Sequence, residues 1–178
     1  MSTREHYQTT VIPRLKEELH EKNVHALPRL LAVHVNVGTG HGLKDPKFND
    51  AVVNTLTRIT GQKPAQTTAK KSISNFKIRQ GLVVGCRVTL RGKRMYEFVE
   101  RMVRVALPRI RDFRGLETKH IDHRGNMTIG FREHLVFPEI RSDEVEKIHG
   151  LEVTLVTNAG TYERGLALFK AMGFPLKV

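Results

Sequence analysis

The sequence predicts an α+β fold of the ferredoxin-like, split βαβ type. A mostly antiparallel sheet should carry helices on one face, with further helices at the N- and C-terminal ends. The expectation rests on three features. Apolar residues alternate with period two over residues 30–37, 82–90 and 151–157. They recur every three or four residues over 47–60 and 91–107. After a leading helix the segments run β-α-β-β-α-β, and a last helix closes the chain. At 178 residues, 39% of them hydrophobic, the chain is long enough for a sizeable core, and one domain spanning 1–178 is expected.

In chain order, Thr3 to Lys22 reads as a helix, with Tyr7, Val11, Leu15 and Leu19 every fourth residue and Pro13 breaking or kinking it. Leu31, Val33, Val35 and Val37 mark one face of a half-buried strand, which ends in G-T-G-H-G. Phe48, Val52, Leu56 and Ile59 form the apolar side of a second helix that Gly61 stops. A short strand at Ala65 to Ala69 precedes a polar loop, and Leu82 to Leu90 is the longest strand. Arg91 to Leu107 is a third helix, with Met95, Phe98, Val99, Met102, Val103 and Ala106 inward. The chain then stays turn-like to Arg124, and Asn126 to Arg132 is a strand. Phe137 to Ile140 is a loop, and Ser142 to Val145 is a short capped turn or helix. Leu151 to Thr157 is a strand. Thr161 to Met172 is the closing helix, with Leu166, Leu168 and Phe169 inward and Gly173 ending it.

The formal net charge is +12, and its distribution is uneven. Residues 62–124 hold 16 Lys and Arg against 5 Asp and Glu, which is net +11. The segments before and after are net +2 and −1. Charge concentrated in this way attracts a polyanion, whereas evenly spread charge bears mainly on solubility. From Gly61 to Gly92 there is no acidic residue, and its middle, Lys70 to Gln80, carries one bulky ring, Phe76. That middle reads as a cationic loop between two strands. Phe76 either stacks on a base or ribose while Lys71, Lys77 and Arg79 hold phosphates, or tucks back onto the domain.

Other chemistries fit less well. Gly38, Gly40 and Gly42 lie between a strand and a helix, but Leu43 stands where a dinucleotide loop needs its third glycine, so a tight turn is expected. His120, His123, His134 and His149 lack the paired ligands of a zinc site and are expected to be solvated or RNA-facing. Glu97 and Glu100 stand near Arg94, Arg101 and Arg104 as surface pairs, and no nucleophile–base constellation is present. Cys86 is the single cysteine and reads as a small core hydrophobe. The first residues contain no apolar stretch of the secretory kind, and a reducing cytoplasm is expected. A basic amphipathic membrane-surface helix is also lacking. The free sheet face is RRM-like in kind, but the aromatic signature of that module is absent. Phosphate, sugar and shape contacts should therefore outweigh base stacking.

Several long motifs carry a resemblance. These are L-T-R-I-T-G-Q-K-P-A-Q-T-T-A-K-K-S at 56–72, then F-K-I-R-Q-G, G-C-R-V-T-L-R-G, P-R-I-R-D-F-R-G-L and F-P-E-I. The chain resembles, end to end, the bacterial family of large-subunit ribosomal protein number five, which binds 5S rRNA. The resemblance implies a structural constituent of the cytoplasmic ribosome with no cofactor. Its members help attach 5S rRNA in the central protuberance. It implies 5S contacts at Asn36, Gln62 and Thr89, which the strand reading puts at sheet edges, with Lys63, Arg87 and Arg91 as neighbouring phosphate ligands. It implies that Lys70, Lys71, Ser72, Asn75, Phe76, Lys77 and Arg79 form a mobile loop reaching the P-site tRNA. Arg109, Arg111 and Arg114 would belong to an intersubunit bridge facing small-subunit head protein number thirteen. The implied partners also include 23S rRNA and neighbouring 5S-binding ribosomal proteins. The chain departs from the family in V-N-V-G-T-G-H-G and in Pro13. The reading from another class is an enzyme that processes RNA or nucleotides, which the missing catalytic constellation disfavours.

Overall fold

The computed structural model describes residues 3–40, 45–141, 143 and 147–177. Gly42 and Leu43 of the glycine loop, and Ser142, Glu144 and Val145 of the expected capped turn, lie outside the described residues.

Five strands form one mostly antiparallel sheet. They are β1 (Leu30–Gly38), β2 (Ala65–Thr68), β3 (Val83–Leu90), β5 (Met127–Phe131) and β6 (Leu151–Thr157), and they lie in the order β2-β3-β1-β6-β5. β4 (Leu116–Glu117) instead pairs in parallel with β7 (Leu176–Lys177). The expected α+β split βαβ layout is present, with β6 beside β1 and β5 at the far edge. The small β4–β7 pair has no counterpart in the sequence reading, because two residues give no period to read.

The chain divides into two compact units. One comprises residues 1–33, 90–129 and 154–178. Its leading helix is α1 (Thr3–His6), a wider π-helical turn at Tyr7–Val11, and α2 (Ile12–Leu19). Pro13 sits in the first turn of α2, where its missing N–H interrupts the regular bonding and the wider turn absorbs the mismatch. The helix stops at His20 in the left-handed region, short of the expected Lys22. Tyr7, Val11 and Leu15 are buried, and the Tyr7 hydroxyl donates to the Pro28 carbonyl at 3.0 Å.

The third helix runs as α4 (Gly92–Arg101), then a π turn to Ala106 and a tight turn at Leu107–Arg109. Met95, Phe98, Val99, Met102 and Ala106 are buried as expected, while Val103 is half-buried. α5 (Tyr162–Ala171) buries Leu168 and Phe169, but the expected Leu166 is half-buried, since Gly165 and Ala167 take the inner face. Gly165 lets the backbone of Gly125 come against this helix: a Cβ on Gly165 would lie 2.4 Å from the Gly125 Cα. In the turn that carries Gly125, the Asp122 carboxylate accepts from the amides of Arg124 and Asn126 and from the Asn126 side chain, at 2.8–2.9 Å. Leu30 and Ala32 are buried as well as Val33, while Leu31, expected on the buried face, is exposed.

The other unit comprises residues 34–89 and 130–153. α3 (Pro46–Thr60) buries Phe48, Val52, Leu56 and Ile59, and Asp45 caps it by accepting from the Lys47 amide at 3.1 Å. Gly61 ends it in the left-handed region at φ 68°, which a residue with a Cβ adopts at a cost. Phe137 and Ile140 are buried, so the segment read as a loop is anchored by its apolar residues. His134 and His149, expected at the surface, are both buried and stacked on each other. The His134 amide donates to the His149 carbonyl and the His149 amide to His134 Nδ1, which draws both rings inward. His123 is exposed, as expected.

Candidate nucleic-acid interface

Alternation along two neighbouring strands builds the face. In β1, Val35 and Val37 enter the core, so His34 and Asn36 point the other way. In β3, Cys86 and Val88 are buried, so Arg87 and Thr89 point the other way. His34 Nδ1 lies 2.9 Å from the Thr89 hydroxyl, which puts these residues on one common face. Asn36 and Arg87 are exposed there.

Gln62 joins the same group from the end of α3. The Thr60 hydroxyl donates to the Leu56 and Gln62 carbonyls at 2.6 and 3.1 Å, which fixes the turn after the helix. From that turn, Gln62 Nε2 donates to the Thr89 carbonyl at 3.5 Å. Asn36 and Thr89 are therefore not edge residues, while Gln62 lies in the turn that leads into the edge strand β2. β1 is the middle strand of five and β3 is interior, and the edges are β2 and β5. A sequence gives the face on which a residue lies but not the rank of its strand. Lys63 is exposed on the approach to β2, and Ala65 stands opposite Arg87 in the β2–β3 register. Arg91 belongs to the other unit, exposed just before α4.

The cationic loop is a hydrogen-bonded extension of the β2–β3 hairpin. Ala69 N donates to Leu82 O at 2.8 Å, and Ile73 and Ile78 exchange two backbone bonds of 2.9 and 3.1 Å. Ser72 Oγ accepts from the Gln80 amide at 2.9 Å. The tip is one tight turn at Ser74–Phe76, closed by Lys77 at φ 55°. Lys70, Lys71, Ser72, Asn75, Lys77 and Arg79 lie along it, and all are exposed. Phe76 is 68% exposed, so it points outward and does not tuck back.

Arg109, Arg111 and Arg114 lie in the other unit, between the turn after α4 and β4, and Arg109, Arg111 and Asp112 are open to solvent there. Among the described residues, Lys63, Lys70, Lys71, Lys77, Arg79 and Arg87 form no ion pair, whereas Lys93 and Arg104 pair with Glu97 and Glu100. Unneutralised cations of this kind attract phosphate and release counterions on binding. Sequence reasoning misses His34, because strand alternation is counted on Leu, Val and Ile alone. Its signal is its period-two spacing from Asn36.

An interior strand face of Asn, Thr and Arg with Gln62 at its end, beside a cationic hairpin, marks an α+β protein suited to bind a polyanion such as RNA. Residues 23–79 match the family described as ribosomal protein L5, and residues 83–176 match the C-terminal part described for that same ribosomal family. The chain belongs to the ribosomal protein L5 family. It is 53% identical over 171 residues to the large ribosomal subunit protein uL5 of Halothermothrix orenii, covering 96% of each chain. It is 50% identical over 177 residues to the protein of the same name from Synechococcus sp. strain CC9311, covering 99% of each. The uL5 of Solibacter usitatus is 49% identical over 174 residues, covering 98% of this chain and 97% of its own. The family is one of structural constituents of the ribosome, located in its large subunit, and not of enzymes. No helix among the described residues is long and apolar enough to cross a membrane.

Proposed function

We propose that the chain binds 5S rRNA through Asn36, Gln62, Lys63, Arg87 and Thr89, with Arg91 as a further phosphate ligand, and helps attach it in the central protuberance. The observation that carries this reading is the convergence of Asn36, Arg87 and Thr89 on one open face, tied together by the His34–Thr89 bond of 2.9 Å. Amides and hydroxyls both donate and accept, so they suit ribose hydroxyls and base edges, while Arg and Lys attract phosphate.

The hairpin arm, with Lys70, Lys71, Ser72, Asn75, Phe76, Lys77 and Arg79, contacts the P-site tRNA. Its outward Phe76 among these cations supports this role. Arg109, Arg111 and Arg114 take part in the intersubunit bridge to small-subunit head protein number thirteen. 23S rRNA and the neighbouring 5S-binding proteins are further partners, and residues 1–178 act as a single RNA-binding domain.

Filter binding of the purified chain to 5S rRNA across a salt series tests the central claim. The expected result is a steep fall of affinity with salt and a preference for 5S rRNA over other RNAs of equal length. A flat salt dependence, or equal affinity for every RNA, would overturn it.

A further inference from the structure

His34 stands inside the proposed interface without an assigned role. Any role for it there rests on the reading that this face binds RNA. His34 is half-buried, and its Nδ1 is 2.9 Å from Thr89 Oγ1 on the neighbouring strand. Thr89 is also held through its main chain, where Gln62 Nε2 donates to its carbonyl at 3.5 Å. Asn36 follows His34 by two residues on the same side of β1. Position 34 therefore touches one proposed RNA ligand and adjoins another.

We propose that His34 is a positioning residue for RNA recognition, which fixes the Thr89 hydroxyl and decides whether it offers the RNA a donor or an acceptor. A threonine hydroxyl has one proton and two lone pairs, and alone it rotates between arrangements. If Nδ1 accepts, the Thr89 proton is committed inward, and the oxygen faces the RNA as an acceptor for a ribose 2′-hydroxyl or a base amino group. If Nδ1 carries a proton, Nδ1 donates to Oγ1, and the Thr89 proton is free to point at a phosphate or a base carbonyl. In the first arrangement the hydroxyl presents only an acceptor to the RNA; in the second its proton is turned outward beside one remaining lone pair. Fixing it before binding removes part of the ordering cost of the contact. The ligand class is RNA, on the reading that this face binds rRNA, and the ribose 2′-hydroxyl, which DNA lacks, is the partner of the Thr89 hydroxyl. Strand formation alone does not call for histidine here, since Val, Ile or Thr suits a pleated strand as well or better.

The test measures 5S rRNA dissociation constants at one fixed salt concentration for the full chain and for His34→Ala, His34→Gln, Thr89→Val and the His34→Ala/Thr89→Val double variant. Thermal melting of each protein is followed alongside. His34→Ala should weaken binding about tenfold, while His34→Gln, whose amide can still meet the hydroxyl, should stay within about threefold of the parent. The double variant should bind no more weakly than Thr89→Val alone, because the proposed effect of His34 on the RNA runs through that hydroxyl. Unchanged binding by His34→Ala would overturn the assignment, and so would losses that multiply in the double variant. If Thr89→Val weakens binding and His34→Ala does not, only the role of His34 falls. If the parent chain shows no preference for 5S rRNA, the RNA-face reading falls and takes this assignment with it.

Discussion

His134 and His149 stack with ring centroids 4.0 Å apart and planes 14° from parallel, and Phe48 meets His149 edge-on at 6.3 Å. Both are buried, and the His149 amide donates to His134 Nδ1 at 3.2 Å. Burial, and secondarily the charge on His134, push His149 down to about 4, and burial lowers His134 in the same direction. The native pair is therefore neutral at pH 7.

A pH dependence of stability follows. Both histidines have folded values below the unfolded one, so the unfolded chain binds more protons as the solution is acidified. Their contribution is complete above about pH 6.5 and is lost as pH falls from there toward the folded value near 4. For His149 the loss reaches roughly 3 kcal/mol at most. Urea unfolding at pH 7.5, 6 and 5 should show a falling midpoint, and His149→Phe should flatten that fall. An equally steep fall in the variant would assign it to other groups.

Gly165→Ala should destabilise the chain without altering its surface charge. The new Cβ would stand 2.4 Å from the Gly125 Cα and 2.7 Å from its carbonyl oxygen, and backbone atoms cannot swing aside as a side-chain tip can. We expect a loss of about 1–3 kcal/mol or more, read by thermal melting, with Lys170→Gly at an exposed position of the same helix as a comparison for propensity.

Tyr7→Phe removes the donor to the Pro28 carbonyl and leaves that acceptor unpaired. Burial, and then the neighbouring Tyr96, push the Tyr7 hydroxyl up to about 12, so it stays protonated at neutral pH. The variant should cost about 1–2 kcal/mol in chemical denaturation. An unchanged midpoint would mean that water replaces the hydroxyl there.

The arm and the strand face should separate functionally. Lys71→Ala with Lys77→Ala should leave 5S rRNA affinity within about threefold and reduce P-site tRNA binding by assembled ribosomes, since phosphate contacts are local and salt-screened. Asn36→Ala should weaken 5S binding by roughly 1–3 kcal/mol if its amide meets the RNA in a dry contact. Equal loss of 5S binding by both variants would merge the two surfaces into one.

The elements of this fold are written in local stretches of chain. Period-two runs mark β1, β3 and β6, the Phe48 to Ile59 spacing marks α3, and Gly61 marks its end. These signals are local because side-chain direction repeats within a few residues of one strand or helix. The acid-free cationic stretch is equally legible, because charge is counted along the chain. Strand neighbours are not legible in that way. The interior position of Asn36 and Thr89, and the His34–Thr89 bond across 55 residues, come only from the folded chain. So do the burial of His134 with His149, the β4–β7 pair and the contact of Gly125 with Gly165. Each of these joins segments that no local period links. The pairing is chosen by the burial that the whole fold achieves.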